Sequence, residues 1–104
     1  DFFTIVEDMP VYPGGDAALM KYFGETTQYP PIARENGITG VVYVSYIVDK
    51  SGKVKEVKVV RGADPFLDKE AKRVVESLKG YAPGKQRGKP VNVQFTVPIR
   101  FVLQ

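Results

Sequence analysis

The sequence contains neither cysteine nor histidine in its 104 residues. Without cysteine the chain has no disulfide, no thiol nucleophile and no thiolate metal site. Without histidine it also lacks the side chain that proteins use most often for proton transfer near neutral pH and for binding zinc. These two absences exclude many catalytic sites and nearly all zinc-ligand sets. We therefore expect a protein that is not an enzyme and that has no metal or cofactor.

The remaining candidates for catalysis are serines and carboxylates, and neither type lies in a catalytic pattern. Ser45, Ser51 and Ser77 fall in a predicted strand, a turn and a helix, outside any G-x-S-x-G sequence. Paired acids such as Asp64 and Asp68 stand at the start of a predicted helix, where capping and the helix dipole explain them. A binding module is favoured over an enzyme.

Long apolar runs are also missing. The longest, residues 41–48, is interrupted by Ser45 and is far shorter than the roughly 20 residues of a membrane-spanning helix. The chain opens on DFFTIVED without a basic segment or an initiator methionine, so we expect a fragment whose signal or anchor lies upstream. The composition is that of one soluble domain over residues 1–104, with an arm or short strand in residues 1–13 and a core in residues 14–104.

The charge pattern does not favour a nucleic-acid partner. The net charge is only +3, and the basic residues are spread along the chain among acidic ones. A nucleic-acid surface would need them clustered and interleaved with exposed aromatic residues. We expect no nucleic acid among the partners.

The last stretch, residues 90–104, alternates between apolar and polar residues. All odd positions from 91 to 103 are apolar, which predicts a strand with one face on a core. Pro98 has no N–H group to give to a ladder, so it predicts an edge strand in which this position points outward. Backbone directions alternate along a strand, so the other even positions should direct their N–H and C=O groups outward too: Asn92, Gln94, Thr96 and Arg100. The pattern predicts an open sheet edge.

Two more strands are predicted before this one. Residues 40–49 have two largely apolar faces, which is typical of an inner strand, and Gly52 provides the positive φ of the following hairpin turn. In residues 54–61, Val54 is out of phase with the later valines, which predicts a bulge. Residues 2–6 read as a short strand or an arm.

Two short helices are predicted from capping residues. The first covers residues 17–23, with Asp16 as its N-cap and Gly24 at its end. The second begins at Pro31 and ends before Gly37. We expect its buried side to consist of Tyr29, Ile32 and Ala33.

The principal helix follows Asp64, a suitable cap, and Pro65, which suits the first helical position, and Gly80 is expected to end it. Its apolar residues form one stripe at helical spacing: Leu67, Ala71, Val74, Val75 and Leu78. The order of the elements predicts an α+β fold with a split β-α-β crossover. We expect three main strands in the order 2-1-3, in an antiparallel or mixed sheet with helices on one face and a possible extra short N-terminal strand.

Three stretches together resemble the C-terminal domain of the TonB family: QYPPIARENGITG (28–40), VYVSYIVDKSGKVKEVKVVRG (42–62) and LDKEAKRVVESLKGYAPGKQRGKPV (67–91). The resemblance runs from about Tyr12 to the end and is to the variety that begins MPVYPGG, often found in bacteria of the Bacteroidetes type. Two departures are visible. Tyr81 stands where the family usually has tryptophan, and residues 78–80 replace a turn that usually contains Met-Pro.

The resemblance implies a domain on the periplasmic side of the inner membrane, anchored by an upstream helix and a Pro-rich linker. It implies that such a protein works with ExbB and ExbD and transmits proton-gradient energy to outer-membrane transporters of siderophores, cobalamin or glycans. The domain would grip the TonB box, a short extended segment of the transporter, by β-strand addition. Where this sequence matches the family's motifs, the resemblance implies these partner-binding residues: Gln28, Tyr29, Asn92, Val93, Gln94, Phe95, Thr96, Val97 and Arg100. We expect pairing mainly with residues 92–97.

Three alternatives remain open. The first is a TonB-like domain of another envelope protein, such as the sensory tail of a membrane-bound metallopeptidase or a dimerising adaptor, because a fold does not fix a partner. The second, a small α+β nucleic-acid module, is disfavoured by the charge pattern. The third is a homodimer, formed if the last strand pairs with its own copy and competes with the partner.

Overall fold

The structure, a computed structural model, describes residues 1–104 and contains three helices and five strands. In chain order these are α1 (Gly15–Thr26), α2 (Pro31–Glu35), β1 (Gly40–Val48), β2 (Val54–Arg61), α3 (Pro65–Glu76), β3 (Gly84–Gln86), β4 (Lys89–Val91) and β5 (Val93–Phe101). The main sheet has the order β2-β1-β5 with both pairs antiparallel, and β3 pairs with β4 in a separate hairpin. The predicted α+β fold and strand order are confirmed. No helix has the combination of length and apolar character that crossing a membrane would require.

The core lies between one face of the sheet and the helices. The stripe predicted on α3 is buried in full, as are alternate residues of β1 and β5, among them Val44 and Val97. Each fully buried aliphatic side chain stabilises the fold by about 1.5–3 kcal/mol. The even residues of β5 therefore lie on the face of the sheet that points away from the core. Because β5 is the last strand of the sheet, one of its edges is also left without a neighbouring strand.

The predicted start of α3 is confirmed, because Asp64 Oδ2 accepts hydrogen bonds from the backbone N–H groups of Phe66 and Leu67 at 2.9 and 3.3 Å. The predicted end is wrong. α3 ends at Glu76, where the hydroxyl and the backbone N–H of Ser77 both donate to the carbonyl of Val74 and close the last turn. Gly80 lies beyond this end.

The N-cap predicted for α1 is also wrong. Gly14, with φ of 88°, caps the helix, and Asp16 lies in the first turn without a capping hydrogen bond. A side chain at position 14 would place its Cβ 2.7 Å from that of Ala18, so glycine is required there. The helix also continues through Gly24 to Thr26, because the N–H of Thr27 still reaches the carbonyl of Phe23 at 3.0 Å.

The boundaries predicted for α2 are confirmed, with Pro31 as its first residue and Gly37 in the left-handed region at φ 64°. Its buried side was predicted only in part. Ala33 is buried and Tyr29 is half-buried, but Ile32 is 49% exposed. A helix of barely more than one turn can direct only a narrow stripe at the sheet, and Ala33 occupies it.

The bulge predicted in β2 is confirmed. Ser45 of β1 pairs with Lys58, while Ile47 pairs with Lys55, so two residues of β2 oppose one of β1. Glu56 lies at the bulge with φ of 50°.

The single strand predicted over residues 90–104 is interrupted at Asn92. β4 pairs with β3 through a turn at Arg87 and Gly88, both with positive φ, and β5 pairs with β1 only up to Phe101. Pairing ends there because β1 begins at Gly40, the partner of Phe101. Residues 2–6 form no strand, although Phe3 makes an isolated bridge to Val93.

Candidate functional site

β5 lies at the edge of the main sheet, and its outer flank is open over part of its length. The N–H of Gln94 and the C=O of Asn92 are used on the outer side, so the even residues of β5 direct their backbone groups away from β1. By the same alternation, Thr96 and Arg100 present outward N–H donors, and Thr96, Pro98 and Arg100 present outward C=O acceptors. The backbone hydrogen bonds that loops and turns make in this structure include none of these groups, so no loop or turn covers them. We call this stretch, residues 96–100, the open edge.

The first part of the β5 flank is occupied by the chain itself. The N–H of Phe3 donates to the carbonyl of Asn92 and the N–H of Gln94 donates to the carbonyl of Phe3, both at 2.8 Å. The side-chain amide of Asn92 also donates to the carbonyl of Asp1 at 3.2 Å. From here on, the term arm is used for residues 1–5 alone, the first part of the N-terminal segment 1–13. The arm pairs with β5 in the parallel direction, as a short added strand would.

The chain that follows the arm is held more firmly. Val6 is buried, and the backbone groups of Asp8 pair in both directions with those of Lys85. Val11 pairs in both directions with Ala82. These contacts connect residues 6–11 to β3 and to the segment that leads into it.

An apolar groove runs along the helix side of the open edge. Its first part has a volume of about 500 Å³, and its walls come from residues 9–12, α1 and β5. Its second part has a volume of about 260 Å³ and is lined by α1, Thr27 and the end of β5. Met20 of α1 lines both parts. We call the two parts the edge groove; its principal apolar residues are Met9, Pro10, Leu19, Met20, Phe95 and Val97.

The bottom of the edge groove is aromatic, and Asp16 is the one acidic residue that lines its first part. The ring of Phe95 stacks on that of Tyr81 at 6.1 Å and tilts against that of Tyr46 at 5.7 Å. Burial raises the pKa of both tyrosines, and the hydrogen bond between them raises that of Tyr46 further. Both hydroxyl groups are therefore protonated near neutral pH, and the surface beneath the groove suits apolar side chains.

Gln28 and Tyr29 lie at the far end of β5. The ring of Tyr29 meets that of Phe101 edge-on at 5.6 Å, and its hydroxyl donates to the carbonyl of Ile38. The N–H of Gln28 donates to Glu70 Oε2 at 2.6 Å. Thr27, the preceding residue, lines the groove with Arg100, and its buried hydroxyl has no hydrogen-bond partner. The segment before Tyr29 therefore flanks the end of the open edge.

An ion pair on α3 positions that flanking segment. Arg73 Nε lies 2.7 Å from Glu70 Oε1, and the Arg73 guanidinium also donates to the carbonyl of Thr26 at 3.1 Å. Burial alone would raise the pKa of Glu70, but the hydrogen bonds from Arg73 and from the Gln28 N–H outweigh it and lower that pKa. The carboxylate is charged near neutral pH and holds the segment next to α3.

The sequence-predicted residues fall into groups with different surroundings. The side chain of Val93 is fully buried, and Asn92 and Gln94 bind the arm through their backbone. Phe95 and Val97 line the edge groove, while the side chains of Thr96 and Arg100 are exposed. Their role in partner binding stays a prediction.

Sequence reasoning did not find Phe3 as an occupant of the β5 flank, nor Met9 and Met20 beside it. The apolar run FFTIV could have indicated an added strand. Nothing in the local sequence places either methionine near β5, because both arrive there only through tertiary packing.

Comparison with known proteins gives one family. Residues 25–103 match the family described as Gram-negative bacterial TonB protein C-terminal. The solution NMR structure of Helicobacter pylori TonB-CTD (residues 194–285) is similar at 25% sequence identity and a TM-score of 0.67, covering 85% of this chain and 92% of that one. A second NMR structure of that protein (residues 179–285) is similar at 22% identity and a TM-score of 0.63, covering 83% of this chain and 78% of that one. No curated protein sequence matches significantly.

Proposed function

Because the chain belongs to the family of TonB C-terminal domains of Gram-negative bacteria, and is thus a TonB-like periplasmic domain, we propose that it binds the TonB box of an outer-membrane transporter. The box would add as an extended strand to the outer flank of β5. The observation that carries this proposal is the open edge, where Thr96 and Arg100 direct unpaired N–H groups outward beside an apolar groove.

The open edge supports a reversible grip. It offers two donors and three acceptors, and each hydrogen bond to an added strand contributes about 0.5–1.5 kcal/mol net. The ordering of a flexible peptide offsets part of this gain. Because Pro98 has no N–H group, the open edge lacks a third donor, and an added strand can form fewer hydrogen bonds with it. A coupling that must bind and release repeatedly needs such modest affinity.

Side-chain selection follows from the geometry of the sheet. Residues of an added strand that lie opposite Phe95 and Val97 project to the helix side of the sheet, into the edge groove. Residues opposite Thr96 project to the other face. The preferred partner is therefore an extended segment with apolar residues at alternate positions.

The proposal includes energy transduction. Force generated with ExbB and ExbD would reach the domain through an upstream anchor and pass to the transporter through the paired strands. β5 is held to β1 over nine residue pairs, whereas the added strand has only the short open edge. A pull along β5 would therefore release the partner before it opened the domain.

Disulfide cross-linking tests this proposal cleanly, because the chain has no cysteine of its own. Thr96 and Lys58 both pair with Ser45, one on each side of β1, so Thr96→Cys and Lys58→Cys are matched probes of the two sheet edges. Peptides that carry the TonB box of individual outer-membrane transporters, each with one cysteine, should cross-link to the chain with Thr96→Cys in higher yield. Equal yields, or no cross-link with any box, would contradict the proposal. Disulfide-linked dimers of the chain with Thr96→Cys would instead indicate self-pairing through β5.

A further inference from the structure

We propose that the arm regulates the β5 flank by competing with the incoming strand for Asn92 and Gln94. The proposal rests on the proposed function, since it concerns the same flank. The partner meets two adjoining stretches: the open edge, which is free, and residues 92–94, which the arm occupies.

The arm uses the backbone groups that a longer partner would need. Phe3 accepts from the outward N–H of Gln94 and donates to the outward C=O of Asn92, at 2.8 Å each. A strand that extends over this part of β5 cannot form those bonds while Phe3 is in place. The arm therefore already pairs with β5 as an added strand would.

The arm is also the part of this region that can leave at least cost. Phe3 is 43% exposed and Ile5 is 82% exposed, so little apolar surface holds them. Beyond the arm, Val6 is buried and the backbones of Asp8 and Val11 are paired in both directions. Release of residues 1–5 can therefore stop at Val6 without disturbing the segment that follows.

The tether makes this weak contact effective. A segment held by a short linker has an effective concentration in the millimolar range. The two backbone hydrogen bonds of Phe3 and the bond from the Asn92 side chain to Asp1 are therefore enough to keep the arm docked for much of the time. If it is docked about 70–90% of the time, it reduces the affinity for a partner that spans residues 92–100 by about three- to tenfold. A shorter partner, confined to the open edge, would be unaffected.

Two substitutions separate the backbone of the arm from its side chain. Phe3→Pro removes the N–H that binds Asn92, whereas Phe3→Ala keeps it and removes only the ring. Amide hydrogen exchange read by NMR should be about three- to tenfold faster at Gln94 with Phe3→Pro than in the unmodified chain, and close to the unmodified rate with Phe3→Ala. The amides of Asp8 and Val11 should stay protected in all three chains. Exchange of Gln94 at the same rate in the unmodified chain and with Phe3→Pro would overturn the proposal.

A peptide with the sequence of residues 1–6, DFFTIV, then measures competition without any transporter. Added in trans, it should shift the Gln94 amide and bind the chain with Phe3→Pro about three- to tenfold more tightly than the unmodified chain. Equal affinities would overturn competition by the arm. If no TonB box peptide binds either chain while DFFTIV behaves as expected, the proposed function fails and the role of the arm stands.

Discussion

The hydroxyl groups of Tyr46 and Tyr81 form a hydrogen bond of 2.7 Å beneath the edge groove. Tyr46 lies on β1, the central strand of the main sheet, Tyr81 precedes β3, and both rings contact Phe95 of β5. The pair therefore connects the middle of the sheet to the strand proposed to bind the partner. In sequences of the kind that this chain resembles, tryptophan usually stands in place of Tyr81. The phenol hydroxyl can both donate to and accept from Tyr46, whereas an indole can only donate.

Removing one member of this pair should destabilise the fold. Tyr81→Phe leaves the buried hydroxyl of Tyr46 without a partner, which costs about 1–3 kcal/mol. Replacing both tyrosines by phenylalanine removes the unsatisfied group, so the double variant should lose less than the sum of the two single losses. Urea unfolding of the unmodified chain, the two single variants and the double variant measures this coupling. Additive losses would contradict it.

The same pair predicts how stability depends on pH. Burial raises the pKa of Tyr46 and Tyr81 above the value of 10.0 expected for an exposed tyrosine. Above that pH the unfolded chain loses protons that the folded chain keeps, so the free energy of unfolding is fully present below pH about 10 and decreases as the pH rises further, by at most about 1.4 kcal/mol per pH unit for each tyrosine. Urea midpoints measured between pH 8 and 11 should change little below pH about 10 and fall above it. The slope should be smaller in the double phenylalanine variant, and an unchanged slope would show that other groups are responsible.

A proline at position 96 should weaken the partner's grip while leaving the fold intact. The N–H of Thr96 points outward and has no partner within the chain, so its loss removes one bond to an added strand, worth about 0.5–1.5 kcal/mol or roughly two- to tenfold in affinity. Thr96→Val keeps the N–H and is the matched control. Calorimetric titration with a TonB box peptide compares the two variants. Equal weakening by both would mean that the side chain matters and the backbone does not.

Met20 should govern the apolar part of recognition. It is 49% exposed and lines both parts of the edge groove. Met20→Glu should reduce the affinity for the TonB box by about fivefold or more, since a charge would be placed beside apolar partner residues. It should change the free energy of unfolding by less than about 0.5 kcal/mol. Ala17→Glu, on an exposed position of the same helix outside the groove, is the matched control and should leave binding unchanged.

Two aspartates near helix starts should differ in their contribution to stability. Asp64 accepts two backbone hydrogen bonds as the N-cap of α3, whereas Asp16 makes no capping bond in α1. Asp64→Ala should cost about 1 kcal/mol, and Asp16→Ala should cost less than about 0.5 kcal/mol. Thermal unfolding of both variants checks this. Equal losses would contradict the assignment of Gly14 as the cap of α1.

Features set by local pattern could be predicted from the sequence. The alternation in β5, the outward position of Pro98 and the stripe on α3 each depend on neighbours within a few residues. The interruption at Asn92 could not be predicted in this way. Its side chain accepts from the N–H of Lys50 and donates to the carbonyl of Asp1, which lie 42 and 91 residues away in the sequence.

The same limit applies to the candidate site. The open flank of β5 follows from the sequence of one strand. The outward direction of the backbone groups of its even residues was predicted correctly. The arm on Asn92 and Gln94, and the groove wall that Met20 provides, depend on segments that meet only in the folded chain. The predicted pairing with residues 92–97 includes Asn92 and Gln94, which the arm occupies. We therefore propose that the partner first contacts the open edge.

The amides of Thr96 and Arg100 provide the most direct measurement of strand addition to β5. Hydrogen exchange at these two positions, read by NMR with and without a TonB box peptide, compares the flank in its free and bound states. We predict rapid exchange of both amides in the free chain and strong protection when the peptide binds. Unchanged rapid exchange at both positions, with new protection confined to β2, would contradict the account.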